Sequence, residues 1–171
     1  MEEIFTRRSI RRFEDRPVEK DKLDKLLRAA MQAPSAGNQR PWEFLVVENK
    51  ETRGKLSHLS PYAGPCASAP VAIVLLANLG NLNFPDNWQQ DMGAAAENLL
   101  LEAVHLGLGA VWMATSPEES REKYVRGLFG LPEQVRPFSV IAVGYPAEGQ
   151  SNRFMDRYEA NRVHYEIYGN P

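Results

Sequence analysis

Cysteine is nearly absent: Cys66 is the only one in 171 residues, so no disulfide can form within one chain. A reducing, cytoplasmic setting is the expectation. Histidine is scarce as well. His58, His105 and His164 stand far from one another and from Cys66, so no metal-ligand spacing exists and each is expected to be structural. No apolar run approaches the roughly 20 residues that a membrane-spanning helix needs, and no membrane partner is expected. Met1-Glu2-Glu3 leads straight into arginines, which is not how a signal peptide begins. The glycine motifs of common catalysts are missing too. There is neither a Gly-x-Ser-x-Gly elbow nor a Gly-x-x-x-x-Gly-Lys-Ser/Thr loop. Gly107-Leu108-Gly109-Ala110-Val111-Trp112 starts like a dinucleotide motif but carries Trp112 at the third glycine. It also follows a helical stretch and precedes a strand, the reverse of that motif's order. Cys66 has no activating partner that would make it a reactive thiol.

What is present is ordinary in bulk and unusual in one place. Hydrophobic residues at 43% and charged residues at 25% describe a globular chain, here one domain over residues 1–171. The net charge of -2 gives no global attraction to nucleic acid. Against that background, five of fourteen arginines (Arg7, Arg8, Arg11, Arg12 and Arg16) fall within ten residues. Three readings stand: a solvated basic arm, a nucleic-acid arm, and an anion site in which planar guanidinium forks grip phosphate with Ser9 between them. No aromatic platform accompanies the cluster, which counts against nucleic acid.

Periodicity places the elements. Leu23, Leu26, Leu27, Ala30 and Met31 recur at helical spacing over 20–32. A turn-rich loop follows over 33–41, then an aromatic and β-branched strand over 42–47. A short helix is expected over 52–59. Residues 71–77 form an unbroken apolar run of strand length, which implies burial on both faces. The longest helix is expected over 88–108, closed by Gly107 and Gly109, followed by a strand over 110–114. Ser116-Pro117-Glu118-Glu119 offers a cap, a first-turn proline and an acidic residue for a helix reaching Phe129 and stopping at Gly130. A fourth strand is expected over 137–145. The tail 147–171 is aromatic but aperiodic, as segments that lie on another subunit often are. Four strands interleaved with helices make the class α/β or α+β around one sheet.

Three segments remain to build a site: the arginine cluster, the 34–42 loop, and the strand end at 112–115. Ligands collect at strand ends in open sheets, and these groups suit a phosphate joined to a flat polar ring, a mononucleotide such as a flavin. Taken in order, the segments resemble the nitroreductase superfamily of FMN-dependent oxidoreductases. The resemblance is carried by Arg7-Arg8-Ser9-Ile10-Arg11-Arg12-Phe13, by Ala33-Pro34-Ser35-Ala36-Gly37-Asn38-Gln39-Arg40-Pro41-Trp42, and by residues 94–103 leading to Gly107-Leu108-Gly109-Ala110-Val111-Trp112. Val140-Ile141-Ala142-Val143-Gly144-Tyr145-Pro146 and Asp156-Arg157-Tyr158 with Val163-His164-Tyr165-Glu166 complete it.

The resemblance implies an α+β fold, a central, mostly antiparallel sheet wrapped by helices, in an intertwined homodimer with FMN at the interface. It implies that Arg7 and Arg11 hold the FMN phosphate, ribityl chain or pyrimidine edge, with Arg8 contributing backbone and Ser9 its hydroxyl. Pro34, Ser35, Ala36, Asn38 and Gln39 would come from the partner subunit. Met113, Ala114 and Thr115 would pass under the ring, with a backbone N–H aimed at flavin N5. Arg157, or else Arg153, would be the second phosphate cation. The tail 147–171 would lie on the partner. No side chain is expected to be catalytic, since flavin N5 carries the chemistry, with NAD(P)H as donor and a nitro compound, quinone or similar small molecule as acceptor. A flavin storage or sensing protein is the alternative. Two departures stand against the family pattern: the chain is short, which bears on substrate choice, and Ala114-Thr115 stands where Glu-Gly or Thr-Gly is usual, which would keep backbone contacts but not side-chain ones. Trp42 and Trp112 are expected in the core, Trp88, Phe84 and Tyr62 are candidates for the substrate side, and Arg12 and Arg16 are expected to be solvated or ion-paired.

Overall fold

The structure, a computed structural model, describes residues 2–170. The outermost residues of the expected 1–171 domain and of the 147–171 tail therefore lie outside the described residues. The elements in chain order are α1 (Glu3–Thr6), α2 (Lys20–Met31), β1 (Trp42–Val47), α3 (Lys50–Leu56), α4 (Pro65–Ser68), β2 (Val71–Asn78), α5 (Trp88–His105), β3 (Gly109–Ala114), α6 (Glu119–Phe129) and β4 (Val135–Gly144).

The sheet order is β1-β2-β4-β3, and every neighbouring pair of strands is antiparallel. The class is α+β. Val71 to Ala77 are all buried because β2 is central and both its faces are covered. Val71, Ile73, Leu75 and Ala77 meet α2 and α5 on one side. Ala72, Val74 and Leu76 meet Leu56 of α3, Cys66 of α4 and Val125 of α6 on the other. Pro137 sits inside central β4 and has no N–H for the ladder. The register of β2 against β4 shifts between Leu75 and Leu76, opposite that proline, so a bulge absorbs the missing donor. α5 buries Trp88, Met92, Ala95, Ala96, Leu99, Leu100 and Ala103, each large side chain contributing about 1.5–3 kcal/mol of transfer free energy.

Several boundaries differ from the sequence reading for local reasons. α3 begins earlier than residue 52, because Asn49 caps it by accepting from the Thr52 N–H at 3.0 Å. It also ends at Leu56, with turn bonds carrying the chain on to Leu59. α6 begins at Glu119 with Glu118 at its cap, so the Ser116-Pro117 start is overturned. The Ser116 hydroxyl instead accepts from Gln89 at 3.1 Å, and its N–H donates to Phe138 O, which prolongs the β3–β4 pairing. α5 stops at His105, short of residue 108, and Gly107 adopts φ +74 just beyond. Met31 ends α2 but stands exposed, outside the buried stripe of Leu23, Leu26 and Ala30. α4 was not anticipated. It is held by Arg53 of α3, a buried guanidinium that donates to the Ala67 and Ala69 carbonyls.

The arginine-rich arm docks along the free edge of β3. Ser9 bridges to Ala110 in parallel, Phe13 bridges to Pro146, and Ile10 N–H donates to Ala110 O at 3.0 Å. Ile10 and Phe13 are buried, while the arginines between them face outward. Two glycines paired in register, Gly109 and Gly144, make the room. A Cβ on Gly109 would sit 2.5 Å from Ile10, and one on Gly144 would sit 2.5 Å from Pro70 and 3.0 Å from Phe13. Behind the arm, Tyr145 donates to Glu19 at 2.6 Å, accepts from Lys22 at 2.9 Å, and has Arg16 over its ring at 3.8 Å.

Two outcomes follow. Gly109→Ala should lower stability by about 1–3 kcal/mol, the range for overpacking a filled site, read by urea unfolding; an unchanged midpoint would mean that the Ile10 seat is not tight. The Tyr145 hydroxyl, then a backbone N–H, then Arg16 hold the Glu19 carboxyl down at about 2. A depressed carboxylate favours the folded state above its unfolded pKa and loses that contribution as pH falls through the folded value, here between about 4.5 and about 2. In Tyr145→Phe, carboxyl NMR should find Glu19 titrating nearer its ordinary value.

Candidate functional site

The arm and the start of the tail build one cavity. Arg8, Ser9, Ile10 and Arg11 line it from one side, and Gly149, Gln150, Ser151, Arg153 and Arg157 from the other, enclosing about 460 Å³. Backbone bonds fix the two sides together. Asn152 accepts from Arg8 N–H at 3.1 Å and donates to Leu108 O at 3.0 Å. Gln150 accepts from Arg11 N–H at 3.3 Å, and Arg153 N–H donates to Thr6 O at 2.8 Å. Phe5 stacks on Phe154 with centroids 6.0 Å apart.

Four guanidinium groups face this cavity and none of its lining residues is acidic. Partial burial, followed by the charges of Arg157, Arg7 and Arg153, depresses the Arg8 pKa below its ordinary value. Arg8 stays charged even so. Two of its nitrogens are used at home, on Arg7 O and on Phe5 O at 3.0 Å, but its buried Nε has no partner. A buried donor without an acceptor is costly, and a cluster of like charges is self-repelling. An anion with several oxygens relieves the repulsion. Phosphate is the matching chemistry, since guanidinium forks pair with its oxygens bidentately.

The expected site residues divide between places. Arg8, Ser9, Arg11, Arg153 and Arg157 meet at the cavity, so both tail arginines are there. Arg7 turns aside and pairs with Glu97 of α5 at 3.4 Å. Arg16 pairs with Glu19 at 2.9 Å. Pro34, Ser35, Ala36, Asn38 and Gln39 do not line this chain's arginine cavity, and neither do Met113, Ala114 and Thr115. Ala114 is exposed at the end of β3, while Met113 and Thr115 are buried. The N–H groups of Thr115 and Ser116 are both spent on Phe138 O at 3.1 Å, which leaves neither free for a ligand. The Thr115 hydroxyl is buried without a partner.

The 34–40 loop has its own architecture. Gly37, Asn38 and Arg40 adopt φ of +53, +56 and +47, left-handed positions that residues other than glycine resist, with right-handed Gln39 between the last two. Arg40 N–H donates to the Ser35 hydroxyl at 3.0 Å. Asp91, 4% exposed in the first turn of α5, accepts from Ala36 N–H at 2.8 Å and from Gln39 Nε2 at 2.7 Å. Gln39 also accepts from Phe84 N–H and donates to Phe84 O, both at 3.0 Å. The Phe84 ring covers Gly37, where any Cβ would lie 2.3 Å from it. Phe84 is half-exposed, Trp88 is buried, and Tyr62 points into solvent. Trp88 and Trp112 both lie edge-on to Phe138, and Trp42 packs on the core. Cys66 is fully buried and burial pushes its thiol up to about 12, so it is no nucleophile at neutral pH.

Sequence reasoning missed Asp91 and the 149–152 segment. A lone carboxylate among the apolar positions of the longest helix was the available signal for Asp91. The polar residues before Arg153 gave none, because their contribution depends on where the tail folds back.

An α+β fold whose sheet edge carries an arginine-walled, acid-free cavity defines an anion-binding protein suited to a phosphorylated cofactor. Comparison with known proteins narrows the class. The model described as "Nitroreductase family" matches residues 4–63 and 60–145, and the chain belongs to that family. A crystal structure from Clostridium acetobutylicum named "Putative NADH Oxidase" is 54% identical, with a TM-score of 0.95 over 97% of this chain and 99% of that one. A protein of Methanothermobacter thermautotrophicus named "Putative NADH dehydrogenase/NAD(P)H nitroreductase" is 46% identical over 97% of this chain and 86% of its own length. An FMN-dependent nitroreductase structure from Clostridium difficile R20291 is 32% identical, with a TM-score of 0.86 over 97% and 98% of the two chains. Among the described residues no helix is long and apolar enough to cross a membrane.

The cavity yields a direct test. Arg8→Ala and Arg157→Ala should each weaken FMN binding by about tenfold or more, the loss of one charge-assisted contact, while Arg12→Ala leaves it unchanged. Isothermal titration of the three variants checks this, and equal affinity in all three would remove the cluster from the site.

Proposed function

We propose that the chain is an FMN-dependent NAD(P)H oxidoreductase acting on a small electron-poor molecule such as a nitro compound or quinone. One observation carries this reading: an arginine cavity without a carboxylate, with an unpartnered buried Arg8 Nε, in a chain of the nitroreductase family. The names of relatives support the cofactor and donor. One is an FMN-dependent nitroreductase and another, from Bacillus subtilis and 29% identical, is an FMN reductase using NAD(P)H.

Arg8, Arg11, Arg153 and Arg157 would hold the phosphate, with Ser9 adding a hydroxyl. Pro34, Ser35, Ala36, Asn38 and Gln39 would face the ring from a second subunit, because they stand away from this chain's arginine cavity. Met113 and Ala114 would pass beneath it. When bound, FMN supplies a two-electron carrier that takes hydride at N5 from NAD(P)H and passes it to the acceptor in ping-pong order. The protein's part is electrostatic and steric. Its cations would hold the phosphate end, and the loop would fix which face of the ring is open. The tail exposes Phe154, Tyr158, Tyr165, Ile167 and Tyr168, an apolar set that suits burial on the partner of a homodimer. Residues 1–171 would then be one domain that completes two sites as a dimer.

Anaerobic stopped-flow of the FMN-loaded protein tests the activity. NADH or NADPH should bleach the flavin band, and a quinone or nitro compound added afterwards should restore it without any ternary complex. Flavin that binds but never bleaches would point instead to storage or sensing.

A further inference from the structure

We propose that Asp91 is the positioning residue of the flavin site: it holds the 35–39 loop in its left-handed shape and, through Gln39, locks that loop to Phe84. This rests on the reading of residues 34–39 as ring-facing. The loop holds Gly37, Asn38 and Arg40 at positive φ, which strains the two that are not glycine, and such strain persists only where the surroundings hold it. Besides the Arg40 N–H bond to the Ser35 hydroxyl and the loop's own turn bonds, the holding contacts run from Phe84 through Gln39 to one buried carboxylate. Asp91 gives one oxygen to Ala36 N–H and the other to Gln39 Nε2, at 2.8 and 2.7 Å. Those are charge-assisted distances. Its place in the first turn of an 18-residue helix adds the favourable end of the helix dipole.

Gln39 cannot turn to suit a different partner. Its amide oxygen already takes Phe84 N–H and its nitrogen already serves Phe84 O, so rotating the amide would break both. An asparagine at 91 would therefore present its NH2 to one of two donors, Ala36 N–H or Gln39 Nε2, and could satisfy only the other. Aspartate, with acceptors on both sides, is the residue type that the geometry requires. Asp91 has no place in the arginine cavity and acts on the cofactor only through the loop. The same chain of bonds seats the Phe84 ring over Gly37, so the aromatic wall and the ring-facing loop move as one unit.

The test uses full-length apoprotein, FMN titrated back by quenching of its fluorescence, and amide hydrogen exchange without flavin. In Asp91→Asn the FMN Kd should rise about tenfold from the loss of one charge-assisted bond. The visible circular dichroism of bound flavin should change. The Ala36 amide should exchange faster while those of β2 and β4 keep their protection. Gln39→Ala should raise the Kd in the same direction, and the double variant should bind no worse than Asp91→Asn alone, since both act through one chain of bonds. Wild-type Kd, dichroism and Ala36 protection in Asp91→Asn would overturn the proposal. If that variant does not fold, Gln39→Ala decides, and wild-type affinity there would overturn it. The wild-type titration separates the two readings: no binding by the wild type ends the flavin reading and this proposal with it, whereas wild-type binding with unaffected variants ends only the role of Asp91.

Discussion

Everything at the candidate site depends on how closely the arm approaches the sheet. Gly109 and Gly144 face each other in the β3–β4 register, and only their missing side chains let Ile10 and Phe13 bury against that edge. With those two seated, Arg11 and Arg12 between them are left exposed. Arg8 and Arg11 line one side of the cavity at this edge, where the returning tail supplies Arg153 and Arg157. A cluster of like charges is thus paid for by hydrophobic burial a few ångströms away. That is a common arrangement for a binding site: the scaffold is relaxed and the strain is local.

A second local strain lies in the 34–40 loop, and it is held differently. No apolar seat fixes it; a buried carboxylate on α5 and a glutamine amide do. The arm and the loop are therefore built on two principles: packing shapes the arginine cavity, and hydrogen bonds shape the loop. The two stand apart within one chain, as the proposed dimeric site requires.

Most of the fold was legible in the chain because its elements obey their own periods. The 71–77 run could only be a strand covered on both faces, and the spacing of Leu23, Leu26 and Ala30 could only be one face of a helix. The failures came where tertiary contacts outbid local signals. Ser116 looked like a helix cap until Gln89 and Phe138 claimed its polar groups. Asn49 caps α3 three residues before its expected start, and the apolar residues Leu56 and Leu59 mark only the far end of that segment. At the candidate site, arginine density pointed to the arm but could not sort its members: Arg7 pairs with Glu97, while Arg8 lines the cavity. Nothing in a linear sequence says which of two adjacent arginines will find a carboxylate on a distant helix. The place of Asp91 among apolar positions marked it as unusual, but its partners, 55 and 52 residues away in the chain, could not be read from the sequence.

The central claim is that the arm and the tail root together hold a phosphate dianion, and the phosphorus nucleus of FMN reports on it directly. Free phosphate monoesters take up a proton near pH 6. Surrounded by four guanidinium groups, the bound phosphate should stay dianionic, with a shifted 31P resonance that does not move between about pH 5 and 8. A resonance that titrates near pH 6 at the position of free FMN, with protein in excess, would contradict the account.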